Sequence, residues 1–147
     1  MRKGWFFVPL ALMLLILSCS KGGGDTGGTG IGGNDPHVYN PTDVTSPTIT
    51  INTPLLNQVF ISGNTINVSG TVSDDLGLYR GQIRIIDNEN GVEMKQQAYE
   101  IHGLKSYNFS LNYVSNVTAA RTYTIAVFFE DHGYNPQNRS VEVTVNP

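Results

Sequence analysis

The chain contains a single cysteine, few basic residues and no long apolar run after residue 17. One cysteine excludes an internal disulfide, so the folded part must be held together by its core. Nine basic residues, two of which are Arg2 and Lys3, stand against 12 acidic residues. Because binding to phosphate backbones needs a basic face, this balance argues against nucleic acid as a partner.

Motifs of nucleophilic catalysis are also missing. The sequence has no Gly-x-Ser-x-Gly elbow, and it has no EF-hand calcium loop. His37, His102 and His132 are far apart in sequence, and no two of them have the spacing of metal ligands. The sequence therefore predicts a protein that is not an enzyme.

The first 19 residues have the layout of an export signal. Arg2 and Lys3 give a positive start, and residues 5–17 are uncharged but shorter than the roughly 20 residues that span a bilayer. Residues 16–19, Ile-Leu-Ser-Cys, resemble the lipobox of bacterial lipoproteins, in which the cysteine becomes the acylated N-terminus. The resemblance implies removal of residues 1–18 and lipid chains, including palmitate, on Cys19. The alternatives are an ordinary cleaved signal with an incidental cysteine, and an uncleaved signal anchor.

A glycine-rich linker follows the cysteine. Residues 19–44 combine high backbone entropy with almost no apolar side chains to bury, so we expect a disordered tether. A phosphate-binding loop would need a strand before it and a helix after it, and the sequence predicts neither. The linker is interpreted as a spacer between the lipid and the domain.

From residue 45 to residue 147 the sequence predicts one all-β domain. Short segments alternate apolar and polar residues between turn-forming residues, without a helical period. Residues 59–61 are interpreted as a continuation of the first strand, and residues 92–101 as an edge strand. About seven short strands in this length predict an immunoglobulin-like antiparallel β-sandwich. The expected strands are residues 48–51, 65–73, 79–86, 92–101, 106–113, 123–129 and 141–145.

Three patches carry a family resemblance. Residues 46–54, 66–78 and 123–135 resemble the bacterial immunoglobulin-like modules of surface proteins, with a proline before the first strand, a Gly-Thr strand and Asp-containing turns. Together with the lipobox, they are similar to small Bacteroidota lipoproteins that carry a single immunoglobulin-like domain. The resemblance implies the fold, a cell-envelope location and a lipid anchor. It implies no ligand.

Acidic residues are predicted to gather at one end of the sandwich. In this topology the segment before the first strand, the second-to-third-strand loop and the last hairpin share an end. They carry Asp43, Asp74, Asp75, Glu130 and Asp131, with Asn135 nearby. Calcium takes six to eight oxygen ligands, so a structural calcium ion is one interpretation. The other is that these residues form turns by bonding to the local backbone, without a cofactor.

Two functions follow from these features. The first is a non-catalytic, membrane-anchored lipoprotein of the cell envelope, expected in the outer membrane, that displays its domain for adhesion, assembly or envelope interaction. The alternative is an accessory glycan- or nutrient-binding protein beside an outer-membrane transporter. An exposed coplanar row that includes Tyr79, Tyr99 or Tyr134 would favour the alternative, because flat rings stack on sugars. An unbroken polar surface would favour the first.

Overall fold

Residues 38–147 are described by a computed structural model, and Cys19, His37 and the predicted signal peptide lie outside that range. Within it no helix has the length and apolarity needed to cross a membrane. The range contains eight strands: β1 (Thr48–Thr53), β2 (Gln58–Ile61), β3 (Thr65–Ser73), β4 (Leu78–Asp87), β5 (Glu93–Glu100), β6 (Ser106–Val114), β7 (Arg121–Asp131) and β8 (Pro136–Asn146).

The strands form two sheets. The first has the order β1-β3-β6 and the second the order β2-β8-β7-β4-β5. All neighbouring strands are antiparallel except β2 and β8, which are parallel. Two such sheets packed around one core, with connections that cross between them, define an immunoglobulin-like β-sandwich. The predicted fold class is confirmed.

The short strand β2 differs from the sequence-based interpretation. Residues 59–61 do not continue β1, because the chain leaves the first sheet after Thr53 and joins the second, where Gln58 pairs with Val143. The sequence between the strands contains Pro54, which cannot donate a hydrogen bond to a sheet ladder. The first predicted strand is therefore two strands, one in each sheet.

The core lies between the sheets and follows the predicted alternation. Ile66, Val68 and Val72 of β3 are buried, and their neighbours along the strand face outward. On β7 the buried side chains are those of Tyr123, Ile125, Val127 and Phe129, as predicted. At the centre the rings of Phe109 and Phe129, one from each sheet, have centroids 5.5 Å apart.

Strand β8 is longer than predicted. It begins at Pro136 and not at residue 141, and residues 136–140 pair with β7 although none of them except Pro136 has an apolar side chain and most are exposed. Backbone pairing needs no apolar side chains, so an alternation pattern could not reveal this part. The Tyr123 hydroxyl, at the start of β7, accepts a hydrogen bond from the Ser115 hydroxyl at 3.0 Å, which ties β7 to the end of β6.

Candidate functional site

Four connections meet at one end of the sandwich, which we call the acidic end. They are the segment before β1, the β3–β4 connection, the β5–β6 connection and the β7–β8 hairpin. Backbone hydrogen bonds join them: Asn40 donates to the His132 carbonyl, His132 to the Gly77 carbonyl and Asp74 to the Lys105 carbonyl. Segments far apart in sequence are thus fixed against one another.

Three of the five predicted acidic residues come together at this end. One carboxylate oxygen from each of Asp43, Asp74 and Asp75 lies within 4.8 Å of the other two. Asp43 is only 3% exposed, Asp74 is half-buried and Asp75 is exposed. The cluster therefore extends from the interior of the acidic end to its surface.

The local backbone explains how Asp43 and Asp74 are held. The Asn40 side-chain oxygen accepts a hydrogen bond from the Thr42 amide at 3.1 Å, which forms the turn before Asp43. Asp43 Oδ1 accepts from the Thr45 amide at 3.4 Å. Asp74 Oδ2 accepts from the amides of Leu76 and Gly77 at 3.1 and 3.4 Å. The turn-forming interpretation is thus correct for one oxygen of each carboxylate.

The second oxygen of each carboxylate is different. Asp43 Oδ2 and Asp74 Oδ1 are buried, and neither has a hydrogen-bond partner. Buried polar atoms are almost always hydrogen-bonded, because an unpaired one costs about 1–3 kcal/mol. Turn formation therefore does not account for the whole cluster.

The electrostatics of the cluster follow from burial and like charge. Burial raises the pKa of Asp43, and the charges of Asp131, Asp74 and Asp75 raise it further, against the opposing effect of the Thr45 amide. Burial likewise raises the pKa of Asp74, with Asp131 and Asp75 adding to the effect. Both groups resist ionisation chiefly because burial removes the water that would stabilise the charged carboxylate, and the nearby acidic groups add to this effect.

Asp131 is close to the cluster but has its own partner. It is fully buried, and its two oxygens accept hydrogen bonds from the backbone amide and the side-chain amide of Asn135, both at 2.9 Å. The Asn135 side chain also donates to the Asp43 carbonyl at 2.9 Å. Asp131 therefore holds Asn135, which in turn fixes the backbone of Asp43.

Glu130 lies away from the cluster. Its carboxylate pairs with the Arg80 guanidinium. Glu130 is buried, as Phe129 and Asp131 are, but successive side chains of a strand point to opposite faces, so it lies on the other face of β7, where the Arg80 side chain pairs with it. Sequence proximity to Asp131 suggested a shared site, and strand alternation separates the two side chains.

An aromatic group at the same end was not predicted. The ring of Tyr79 lies 5.2 Å from that of His102, 5.0 Å from that of His132 and 5.9 Å from that of Tyr134. Tyr39 stacks on Tyr134 with ring centroids 5.2 Å apart. These residues come from four separate segments, so sequence spacing gave no signal that they meet.

The tyrosines do not form the coplanar row that would favour sugar binding. The rings of Tyr79 and Tyr134 cross at 62°. Tyr99 lies elsewhere, against Tyr107 and Phe129, and its hydroxyl donates to the Ser110 carbonyl. The surface is not uniformly polar either, because several apolar side chains of residues 55–61 are exposed.

Comparisons with known proteins give similarity in fold only. No family model matches the chain. No curated protein matches it either. Among solved structures, a fibronectin(III)-like module of Clostridium thermocellum CbhA is 14% identical, with a TM-score of 0.45, and the match covers 67% of this chain and 94% of the module.

Two further solved structures are similar at the same level. The CARDB domain of a Pyrococcus furiosus protein, solved in complex with di-metal ions, is 14% identical, with a TM-score of 0.42 and coverage of 69% of this chain and 94% of that domain. Murine CRIg is 10% identical, with a TM-score of 0.43 and coverage of 68% and 96%. The strand order and pairing of residues 38–147 themselves define the class, an immunoglobulin-like β-sandwich domain.

Proposed function

We propose that this chain is a non-catalytic binding domain that a lipid on Cys19 anchors in the bacterial cell envelope, at the outer membrane, for adhesion or assembly with a protein partner. The lipobox resemblance of residues 16–19 supports the anchor. The immunoglobulin-like fold is compatible with a binding role. The observation that supports a protein partner is a set of exposed apolar side chains on strand β2 and in the segment just before it.

This surface, the β2 strip, consists of Leu55, Leu56, Val59 and Ile61. Each of these side chains is more than half exposed. Phe60, between Val59 and Ile61, packs against the core, so strand alternation directs its two neighbours outward. Scattered single apolar residues are normal on a surface, but four within one short segment are typical of an interaction site.

The position of β2 at the edge of its sheet strengthens this interpretation. The second sheet ends in β2 on one side and β5 on the other. Strand β5 carries Glu93, Lys95 and Glu100, and charges on an edge strand oppose pairing with another chain. Strand β2 has the sequence Gln-Val-Phe-Ile, without a charge. A protein partner could add backbone hydrogen bonds along β2 and cover the strip.

The glycan-binding alternative has weaker support. Sugar recognition uses flat ring faces that are open to solvent. Tyr39 and Tyr134 are about half exposed, but they stack on each other with an angle of 13° between their planes, which covers one face of each ring. The β2 strip, by contrast, offers apolar area that a protein can bury.

The proposal predicts that cross-linking on intact cells captures a protein neighbour and that the double variant Val59→Thr, Ile61→Thr loses it. Threonine keeps the β-branched shape that suits a strand while replacing apolar contact area. We expect the cross-linked yield to fall about tenfold, which corresponds to a loss of roughly 1.4 kcal/mol of binding energy. The measurement is the yield of each cross-linked species by mass spectrometry.

Val44→Thr is the matched control, because Val44 is highly exposed but lies before β1, outside the strip. It should leave the yield unchanged. Equal yields for the double variant and the wild type would show that the strip is not the interface. Loss of cross-links together with binding of purified chain to a glycan array would favour the alternative function.

A further inference from the structure

We propose that Asp43, Asp74 and Asp75 bind one calcium ion at the acidic end, where the chain enters β1. We call these residues the calcium site. The proposal goes beyond the proposed function, because it concerns an ion site at the end of the domain where the chain enters β1. It does not depend on what the β2 strip binds.

The distances within the site fit a shared ion. Calcium binds oxygen at about 2.3–2.6 Å, so two oxygens on one ion lie no more than about 5 Å apart. The three carboxylate oxygens of the site meet that condition, since they lie within 4.8 Å of one another. Two of the residues are consecutive in the β3–β4 connection, and the third comes from the segment before β1.

Asp43 and Asp74 each have one buried oxygen that turn formation does not use. Asp43 is almost wholly buried, yet its Oδ2 atom has no hydrogen-bond partner. The turn bonds engage Asp43 Oδ1 and Asp74 Oδ2, which leaves Asp43 Oδ2 and Asp74 Oδ1 for another ligand. An ionised carboxylate can only accept, so its partner must be a donor or a cation.

The charges around the site favour a bound cation, because the three carboxylates form no ion pair within the described residues. None of the ion pairs formed by residues 38–147 includes Asp43, Asp74 or Asp75. The Lys105 ammonium reaches the same connection but donates to the backbone carbonyl of Asp75, at 2.6 Å. Asp131 adds a further negative charge nearby. A divalent ion would neutralise carboxylates that otherwise repel one another.

The donor set selects calcium among divalent ions. All three side chains offer oxygen, whereas zinc prefers nitrogen and sulfur ligands. Magnesium requires near-ideal octahedral geometry, but calcium accepts irregular sets of six to eight oxygens. Because Asp75 is exposed, water can complete the coordination from the outer side. A bound ion would tie the segment before β1 to the β3–β4 connection, which is otherwise linked to it through the β7–β8 hairpin.

The test is a calcium titration of the full chain purified in detergent. Calorimetry measures the heat of binding, and the midpoint of thermal unfolding measures the change in stability. Exported calcium modules bind with Kd values of about 0.1–1 mM, and we expect saturable binding in this range. Asp75→Asn should weaken binding at least about tenfold, because it removes one charged ligand from the exposed side. Asp43→Asn should abolish binding while raising stability in chelator, because it removes a buried charge without a partner.

Glu93→Gln is the matched control, since it removes one carboxylate at the opposite end of β4 and β5. It should bind calcium as the wild type does. Absence of saturable heat and of a thermal shift at about 10 mM calcium would overturn the proposal. Wild-type affinity in Asp75→Asn would overturn it as well, and this variant is informative even if Asp43→Asn does not fold. An equal response to magnesium would contradict selection of calcium.

Discussion

At the residue scale, two glycines make room for the two largest fully buried side chains, Phe109 and Phe129. Gly70 of β3 lies directly opposite Phe109 of β6, and Gly81 of β4 lies opposite Phe129 of β7. A Cβ atom at Gly70 would overlap the Thr50 carbonyl and the Phe109 ring. Each phenylalanine thus covers a glycine on the neighbouring strand, and the two rings then meet at the centre of the sandwich.

Gly70→Ala is therefore expected to destabilise the domain by about 1–3 kcal/mol, the usual cost of overpacking a core. The clash is with backbone and with a buried ring, so neither can move away freely. Urea unfolding measures the change. Asn67→Ala, on the exposed face of the same strand, is the control and should stay within about 0.5 kcal/mol of the wild type. Equal stability of both variants would mean that the core adjusts around the new methyl group.

At the element scale, Tyr99 joins the two sheets at an open edge. Strand β5 is an edge strand of the second sheet, and β6 is an edge strand of the first. The Tyr99 hydroxyl on β5 donates a hydrogen bond to the Ser110 carbonyl on β6 and so connects the two sheets. Burial raises the pKa of Tyr99, and the neighbouring Tyr107 adds to the effect. The neutral hydroxyl is required for donation, so the bond lasts only while Tyr99 is protonated.

This arrangement predicts a loss of stability at alkaline pH. The pKa of Tyr99 is higher in the folded chain than in the unfolded chain, where it is about 10. Its contribution is therefore fully present below pH ~10 and is lost as the pH rises through the folded-state pKa. Tyr99→Phe should be less stable at neutral pH by about 0.5–1.5 kcal/mol and should lose less stability between neutral and alkaline pH.

Thermal unfolding at a series of pH values measures both effects. Ser110→Ala is the matched control, because it keeps the carbonyl that accepts the bond, and it should retain the pH dependence of the wild type. If Tyr99→Phe and the wild type lose stability in parallel above neutral pH, Tyr99 does not control the alkaline response of this edge.

At the scale of the whole molecule, the proposed function needs both an anchor and a domain. Cys19→Ala should move the protein from the membrane fraction to the soluble fraction, because each lipid chain contributes about 0.8 kcal/mol per buried methylene and the variant has none. Fractionation and immunoblotting measure the distribution. Lys95→Gln, in the exposed edge strand β5, is the control and should remain in the membrane fraction. A Cys19→Ala protein that stays bound would exclude the lipoprotein interpretation and favour an uncleaved signal anchor.

Much of the sandwich could be predicted from the sequence because the alternation of apolar residues is a local signal. The predicted β3 coincides with the observed strand, and the inward side chains of β6 and β7 are those that the pattern indicated. Alternation gave no signal for residues 136–140, where pairing depends on the backbone alone. It also gave no signal that the chain passes from the first sheet to the second after Thr53.

Only part of the candidate site could be predicted from the sequence. The expected topology and the turn residues place Asp43, Asp74 and Asp75 at one end of the sandwich, since the connections of a sandwich collect at its two ends. Only the tertiary structure separated Glu130 from them, gave Asp131 its own partner in Asn135 and left Asp43 Oδ2 buried without one. Alternation and turns are encoded in neighbouring residues, whereas the burial and pairing of one carboxylate depend on segments that meet only after folding.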